Sequence, residues 1–524
     1  MPGPGVLLLR NIAMKTSMVR AILAIVLCAY AGRLSATTAI ADASVNASVI
    51  NINLHRTIGS RLLGLGVQWD PFSHYPPSHA NWNVITHRVG FMQPSFLRVM
   101  GGIGTANKRT QMNPELPLIL NWAQTHNSSV ILGTWRPEPL IKPVKKNMAE
   151  SRVRSWARRV ALQVRFLRNN RGFTCIRFYN FINEPERVPI SRWAVLARNL
   201  YAAFQHVGLA DKVRIIGPDT YGDPAANYPK SIALKWNRSA AARSGYNWPL
   251  LAQVAHEASS YIGMFDIHWY ARDGEIYNNT IMPTLAREKR MVESLAPNAR
   301  HKLFVISESG LIQGRCNGDQ QPRVKTFGYG VLMADYAAQV FRAGWNGISA
   351  WDLDDAMHVV NGKPIIHPPG KLTLKIWGFW NSQGAAMGNP ADFNIRPWFY
   401  TWSLLSRMFP AGTRIVDSTE PTGSKRFRSL AGIRMVNNRL VMSIALINDV
   451  KKRRIITVRI PADSHATNLT EYRYFRGDRP VNGQGFPIAA KVLHHVHPAG
   501  GVTINMPGRG VVLLTNQPAF RAHD

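Results

Sequence analysis

At 524 residues the chain is too long for one ordinary core, so a large domain with a smaller companion is expected. Apolar residues make up 46% and charged residues 18%, which excludes a disordered tail or a fibre. Three cysteines exclude a disulfide scaffold and a cysteine-rich metal site, while 63 Lys+Arg against 30 Asp+Glu leave a net charge of +33.

Residues 21–31 read AILAIVLCAYA, an apolar run preceded by Arg10, Lys15 and Arg20 and closed by the small-residue site Ala29-Tyr30-Ala31. This pattern predicts a secretory signal peptide over 1–31, with Met14 as an alternative start. The run is short for a transmembrane helix, so a retained membrane anchor is the weaker reading. Leu27 is too large for lipoprotein processing at Cys28. The mature protein is therefore expected to be secreted or periplasmic.

A charge of this size first suggests nucleic acid. Yet the basic residues are spread along the chain, and the one dense run, KKRR at 451–454, reads as a solvated turn before a strand. No concentrated basic face with interleaved aromatics is apparent, and export points away from nucleic acid. The charge suits an acidic medium, an anionic cell surface or an anionic polysaccharide instead.

From residue 60 to about 405, short β-like runs alternate with longer amphipathic stretches. The runs are 62–69, 95–100, 129–135, 175–182, 213–218, 264–270, 302–308 and 347–353. Most are continuously apolar, as parallel strands buried on both faces are. Helical patterns at 148–170, 191–208 and 331–344 fall between them. Eight β/α alternations predict a (β/α)8 TIM barrel over 60–409. A doubly wound sheet is the alternative, weakened by the lack of a G-x-G-x-x-G turn after the first strand. After a helix at 396–409 the texture changes to short strands at 439–449, 454–461, 501–507 and 510–516, predicting an all-β sandwich over 410–524. The segment 32–59 carries a further strand, 44–53, expected to cross over and join that sandwich. Cys175 opens the fourth barrel strand and Cys316 follows the seventh, at opposite ends of the barrel, so no disulfide is expected.

Catalytic groups of a TIM barrel project from the C-terminal ends of its strands. The fourth strand ends in Asn183-Glu184-Pro185 and the seventh in Ser307-Glu308-Ser309. Two glutamates on one face meet the requirement of two-carboxylate glycoside hydrolysis, in which one is held protonated and the other ionised. Arg98 ends the second strand, where a buried charge needs a carboxylate partner. His268 and Tyr270 alternate at the end of the sixth, and one of them is expected to be mere core, with Tyr270 favoured as partner of Glu308. Trp351 ends the eighth.

This arrangement resembles the retaining glycoside hydrolases of clan A, with the layout closest to families five, thirty and thirty-nine. The resemblance implies Glu184 as acid/base, Glu308 as nucleophile, Arg98 beside the nucleophile, Asn183 on the sugar's 2-hydroxyl and Trp351 as an aromatic floor. The third strand departs from the clan, ending in Thr134-Trp135 where many members have a His. Gly217-Pro218-Asp219 is reminiscent of family thirty-nine, and Asp219 is a further candidate for the cleft. Trp69 and Trp135 are candidate sugar platforms. Asp352, Asp354 and Asp355 read as an acidic loop, with a sugar hydroxyl or calcium as the sharper alternative. The 16 His show no H-E-x-x-H pattern, so no metal and no cofactor are expected. The expected partner is an oligo- or polysaccharide. The competing function is a non-catalytic barrel that binds polysaccharide at the cell surface.

Overall fold

The computed structural model describes residues 47–59, 61–72, 76–103, 113–141, 150–223, 247–360, 373–421, 423–496 and 500–520. The expected leader and Cys28 lie outside the described residues. No helix among the described residues is long and apolar enough to cross a membrane.

Strand β1 (Ala47–Ile58) comes first. It is followed by β2 (Gly64–Gln68), β3 (Phe96–Val99), β4 (Ser129–Gly133) and β5 (Ile176–Asn180). Next come β6 (Arg214–Tyr221), β7 (Met264–Ala271), β8 (Leu303–Leu311) and β9 (Gly347–Ala350). Strands β2 to β9 are parallel and close into a barrel, with Gly64 of β2 in register with Gly347 of β9. Leu63, Phe96, Ile131, Phe178, Ile216, Met264 and Val305 fill its interior. Gly66 makes room for that filling, since a Cβ there would lie 2.5 Å from the Phe96 ring. The helices that return the chain bury one stripe each. Glu150–Arg165, for example, buries Val153, Trp156, Ala157, Val160, Ala161 and Val164, a spacing of three and four.

The remaining strands are β10 (Arg414–Ser418), β11 (Phe427–Val436), β12 (Arg439–Asn448), β13 (Arg454–Arg459), β14 (Leu469–Phe475), β15 (Lys491–Leu493), β16 (Val502–Met506) and β17 (Gly510–Thr515). With β1 they form a nine-stranded, mostly antiparallel sheet in the order β15-β14-β17-β12-β11-β10-β1-β13-β16. Asn437 and Asn438, with φ of 48° and 60°, make the tight two-residue turn of the β11–β12 hairpin. The first half of β1 pairs in parallel with β13 and its second half antiparallel with β10. The sheet thereby curls around a core that includes Ile50, Ile52, Leu54, Phe427, Ile444 and Ile456, consistent with a sandwich.

Barrel and sandwich meet along the helix Phe327–Arg342. Its Asp335 takes a hydrogen bond at 3.1 Å from Arg428 of β11, and both side chains are fully buried. Arg342 donates to the carbonyls of Ser418 and Ser429, closing two strand ends against the helix.

Candidate active site

The barrel's second strand, β3, carries Arg98 with no exposed surface. A buried guanidinium needs acceptors for its planar fork, and three strands and the loop after β5 supply them. Nη1 donates to Gln68 of β2 and, at 2.7 Å, to Glu308 Oε1 of β8. Nη2 donates to Asn183 Oδ1 at 2.7 Å and to Asp219 Oδ2 of β6 at 2.8 Å. Burial disfavours the cation, but Asp219 and Glu308 outweigh it and hold Arg98 charged.

Glu308 is tied down at both oxygens, because Tyr270 Oη donates to Oε2 at 2.9 Å. Its side chain is only 6% exposed, whereas that of Glu184 is 37% exposed. Glu184 follows β5 in the left-handed region, φ 44°, where its N–H donates to the Asp219 carbonyl at 3.0 Å. Its neighbour Asn183 donates its backbone N–H to the Trp135 carbonyl. Between the two glutamates lies His268 of β7, fully buried. Nδ1 is 3.0 Å from Glu184 Oε1 and 3.4 Å from Glu308 Oε2, and Nε2 is 3.0 Å from Asp219 Oδ1.

Burial works against a charged His268, yet the anions Glu308 and Asp219 outweigh it and raise its pKa well above the ordinary value. Asp219 shows the opposite balance: burial would raise it, and Arg98 and His268 pull it down. Asp266, beneath Asp219, is pushed well up by burial and by that neighbouring charge. Burial also raises Glu308, partly offset by His268 and Arg98. For Glu184 the burial penalty is overcome by His268, which leaves its carboxyl below the usual range. In the unliganded site these directions run opposite to a simple division into protonated acid and ionised nucleophile.

An oxygen of each glutamate and a ring nitrogen of His268 lie within 4.8 Å of one another. Among the described residues this trio has the spacing of a metal-ligand set. Arg98 at 2.7 Å from Glu308 and a charged His268 both oppose a cation there.

The structure thus brings Glu184, Glu308, Arg98, Asn183, His268 and Tyr270 together at one end of the barrel. Neither His268 nor Tyr270 is mere core, because both contact carboxylates. Trp351 follows β9 and is buried, with His358 stacked on it at 4.9 Å and the exposed Trp135 edge-on at 6.0 Å. Trp69 is no platform: it is fully buried against Trp82 and Trp122. The acidic triplet is not a surface loop, since Asp352, Asp354 and Asp355 are all buried. Asp355 pairs with Arg396 and accepts the N–H groups of Trp377 and Gly378, while Asp354 accepts from Trp380 and Ser382. Gln68, Asp266 and Ser307 were not legible as parts of the site. Ser307 Oγ donates to Asp266 at 2.9 Å, a contact that strand alternation alone does not specify. The signal that existed for Asp219 was its place at a strand end.

No protein-family model matches this sequence, and comparison with curated proteins gives no match. Solved structures do match over most of the chain. A GH30 endoxylanase from Clostridium papyrosolvens C71 superposes with a TM-score of 0.53 at 13% identity, over 89% of this chain and 99% of the other. A glucosidase from Croceicoccus marinus gives 0.59 at 10% identity, over 90% and 98%. A family 39 glycoside hydrolase from Bacteroides cellulosilyticus WH2 gives 0.53 at 12%, over 87% and 81%. The chain has the fold of GH30 and GH39 glycoside hydrolases. That shared fold covers the barrel and the sandwich alike, and its members' chemistry bears on this chain only through the residues at the barrel mouth.

Proposed function

We propose that the chain is an exported retaining glycosidase acting on β-linked glycosides or polysaccharide. The observation that carries this reading is the Glu184–Glu308 pair, whose oxygens approach within 4.8 Å at the mouth of a barrel. Retaining enzymes hold their two carboxyl groups about 5–5.5 Å apart, whereas inverting ones leave room for a water at about 6.5–9.5 Å. The xylanases and the glucosidase among the structural neighbours support a polysaccharide or oligosaccharide substrate.

In this reading Glu308 is the nucleophile. It is the more buried of the two, and Arg98 and Tyr270 aim its oxygens and favour its ionised form. Glu184, open to the cleft, protonates the departing oxygen and then deprotonates the water that releases the sugar. Asn183, whose Oδ1 is held by Arg98, keeps an amide N–H2 for a sugar hydroxyl. Trp135, exposed beside the buried Trp351, offers the aromatic surface. Export rests on the apolar run 21–31, and the +33 charge supports association with an anionic surface or polymer.

The test is a screen of aryl β-glycosides and polysaccharides, with the anomeric configuration of the first product read by proton NMR. Retention, together with covalent labelling of Glu308 by a 2-deoxy-2-fluoroglycoside, is expected. Inversion would remove the nucleophile assignment, and polysaccharide binding without hydrolysis would favour a non-catalytic barrel.

A further inference from the structure

We propose that Asp219 is a positioning residue for this reaction: through His268 it determines where the catalytic proton resides. For its kinetic consequences the proposal rests on the retaining-glycosidase reading above.

The geometry begins with the imidazole. An ionised carboxylate can only accept hydrogen bonds. His268 faces one with each nitrogen, Glu184 Oε1 at 3.0 Å from Nδ1 and Asp219 Oδ1 at 3.0 Å from Nε2. A neutral ring would turn a lone pair toward one of these oxygens. Among the described residues the donor facing Nε2 is Arg98 Nη2 at 3.5 Å, longer than the Asp219 contact and committed to Asp219 itself. Both nitrogens must therefore carry protons. The other charged or titratable groups facing the ring are Glu308, Arg98, and Asp266 and Tyr270 from its own strand.

Asp219 has no exposed surface, so it acts on substrate only through its neighbours. It is unusually well fixed. Its backbone adopts φ 61° and its N–H donates to Asp266 at 2.9 Å. Its Oδ2 takes a hydrogen bond from Arg98, and Ser307 Oγ lies 3.2 Å from its Oδ1. Everything about this cradle keeps an anion against His268 Nε2.

The consequence lies at Nδ1. One hydrogen bond joins that nitrogen to Glu184, so a single proton is shared between the imidazole and the acid/base. When the glycosidic oxygen leaves, the shared proton passes from His268 Nδ1 through Glu184 to that oxygen, leaving the ring neutral and Glu184 ionised to serve as base. In the same step the Glu308–anomeric carbon bond forms and the carbon–oxygen bond breaks. The ester removes one anion that had held the imidazolium, so the ring gives up its proton at the moment the leaving group needs one. In the second half, water loses a proton to Glu184 and through it to Nδ1, while the ester bond to Glu308 breaks. The proton count closes. This arrangement accounts for a proton donor whose own carboxyl lies low before substrate arrives.

The experiment has two arms. In the first, full-length unliganded protein with 15N-labelled histidine is titrated by NMR, and His268 is assigned by comparison with His268→Gln. The wild-type ring is expected to stay doubly protonated well above the ordinary value of about 6.5. In Asp219→Asn its pKa should drop by about one unit or more. In the second arm, the alkaline limb of kcat/KM on an aryl glycoside should move down with it. A neutral His268 at pH 7 in wild type overturns the proposal even if Asp219→Asn does not fold. So does an Asp219→Asn variant whose ring and limb do not shift. If the ring behaves as expected in a protein that hydrolyses no glycoside, the enzyme reading falls and the hold of Asp219 on the proton stands.

Discussion

Replacing Arg98 by lysine keeps the charge and removes the fork. Arg98 now donates to four side chains from two nitrogens, Gln68 and Glu308 from one, Asn183 and Asp219 from the other. A single ammonium with three protons cannot span acceptors arranged around a planar guanidinium, so at least two of these contacts are lost. Hydrogen bonds to charged groups contribute about 1.5–3 kcal/mol each, and breaking a buried pair costs about 3–5 kcal/mol. A stability loss of about 3–5 kcal/mol is therefore expected for Arg98→Lys in urea unfolding followed by near-UV circular dichroism. Activity carries a second signature. Burial already pushes the Glu308 carboxyl up, and Arg98 counters it. Weakening that counter-charge raises the carboxyl further, so the acid limb of kcat/KM must move to higher pH, and kcat/KM should fall about 100-fold as Glu308 loses its aim. A loss below about 1 kcal/mol with an unmoved acid limb would refute the claim that Arg98 organises the site.

Three further outcomes are expected. With a good leaving group, Glu184→Ala should still glycosylate Glu308 and then stall, and azide should restore turnover; Glu308→Ala should show no rescue with retained configuration. In native protein a thiol reagent should modify the exposed Cys316 and spare Cys175, whose thiol burial pushes up to about 11, so that reaction at Cys175 grows only as pH rises toward that value. Tyr270→Phe removes the 2.9 Å hydrogen bond to Glu308 and should lower kcat by about 10–100-fold with little change in circular dichroism; an unchanged kcat would detach Tyr270 from the chemistry.

The barrel was legible because parallel strands buried on both faces leave continuous apolar runs, and each of the eight runs overlaps an observed strand. In the β region the four strands read from sequence are bracketed by turn residues. Strand β11 was missed: Arg428 and Arg434 interrupt its apolar pattern, and the first is paid for by Asp335 from a helix 93 residues away. The site shows the same boundary. Positions at strand ends marked Glu184, Glu308, Arg98, His268 and Tyr270, because the period of a strand says which side chains face the mouth. The environment of each was not legible. Asp266 and Ser307 lie within their strands, and the charges of Asp219 and His268 depend on three-dimensional neighbours. Trp69 misled for a related reason: a tryptophan at a strand end is equally suited to a cleft or to packing, and Trp82 and Trp122 take it into the core.

The charges around His268 also argue for the class of chemistry. Three carboxyl groups, Asp219, Glu308 and Glu184, face the two basic side chains Arg98 and His268 within a largely buried cluster. Such a site stabilises positive charge developing on its substrate, as in an oxocarbenium-like transition state, and disfavours negative charge. The donors lead to the same conclusion. Stabilising an oxyanion would require N–H or O–H groups aimed at open space, yet the hydrogen bonds of Arg98 Nη1 and Nη2, His268 and Tyr270 go to carboxylates and to the amide oxygens of Gln68 and Asn183. Asn183, with its Oδ1 engaged by Arg98, retains amide N–H groups suited to a neutral hydroxyl. Acyl transfer through a tetrahedral oxyanion is thus poorly served by these residues. Cleavage at a carbon that becomes cationic, with one carboxylate poised beneath it and another beside its leaving oxygen, is what the same residues support.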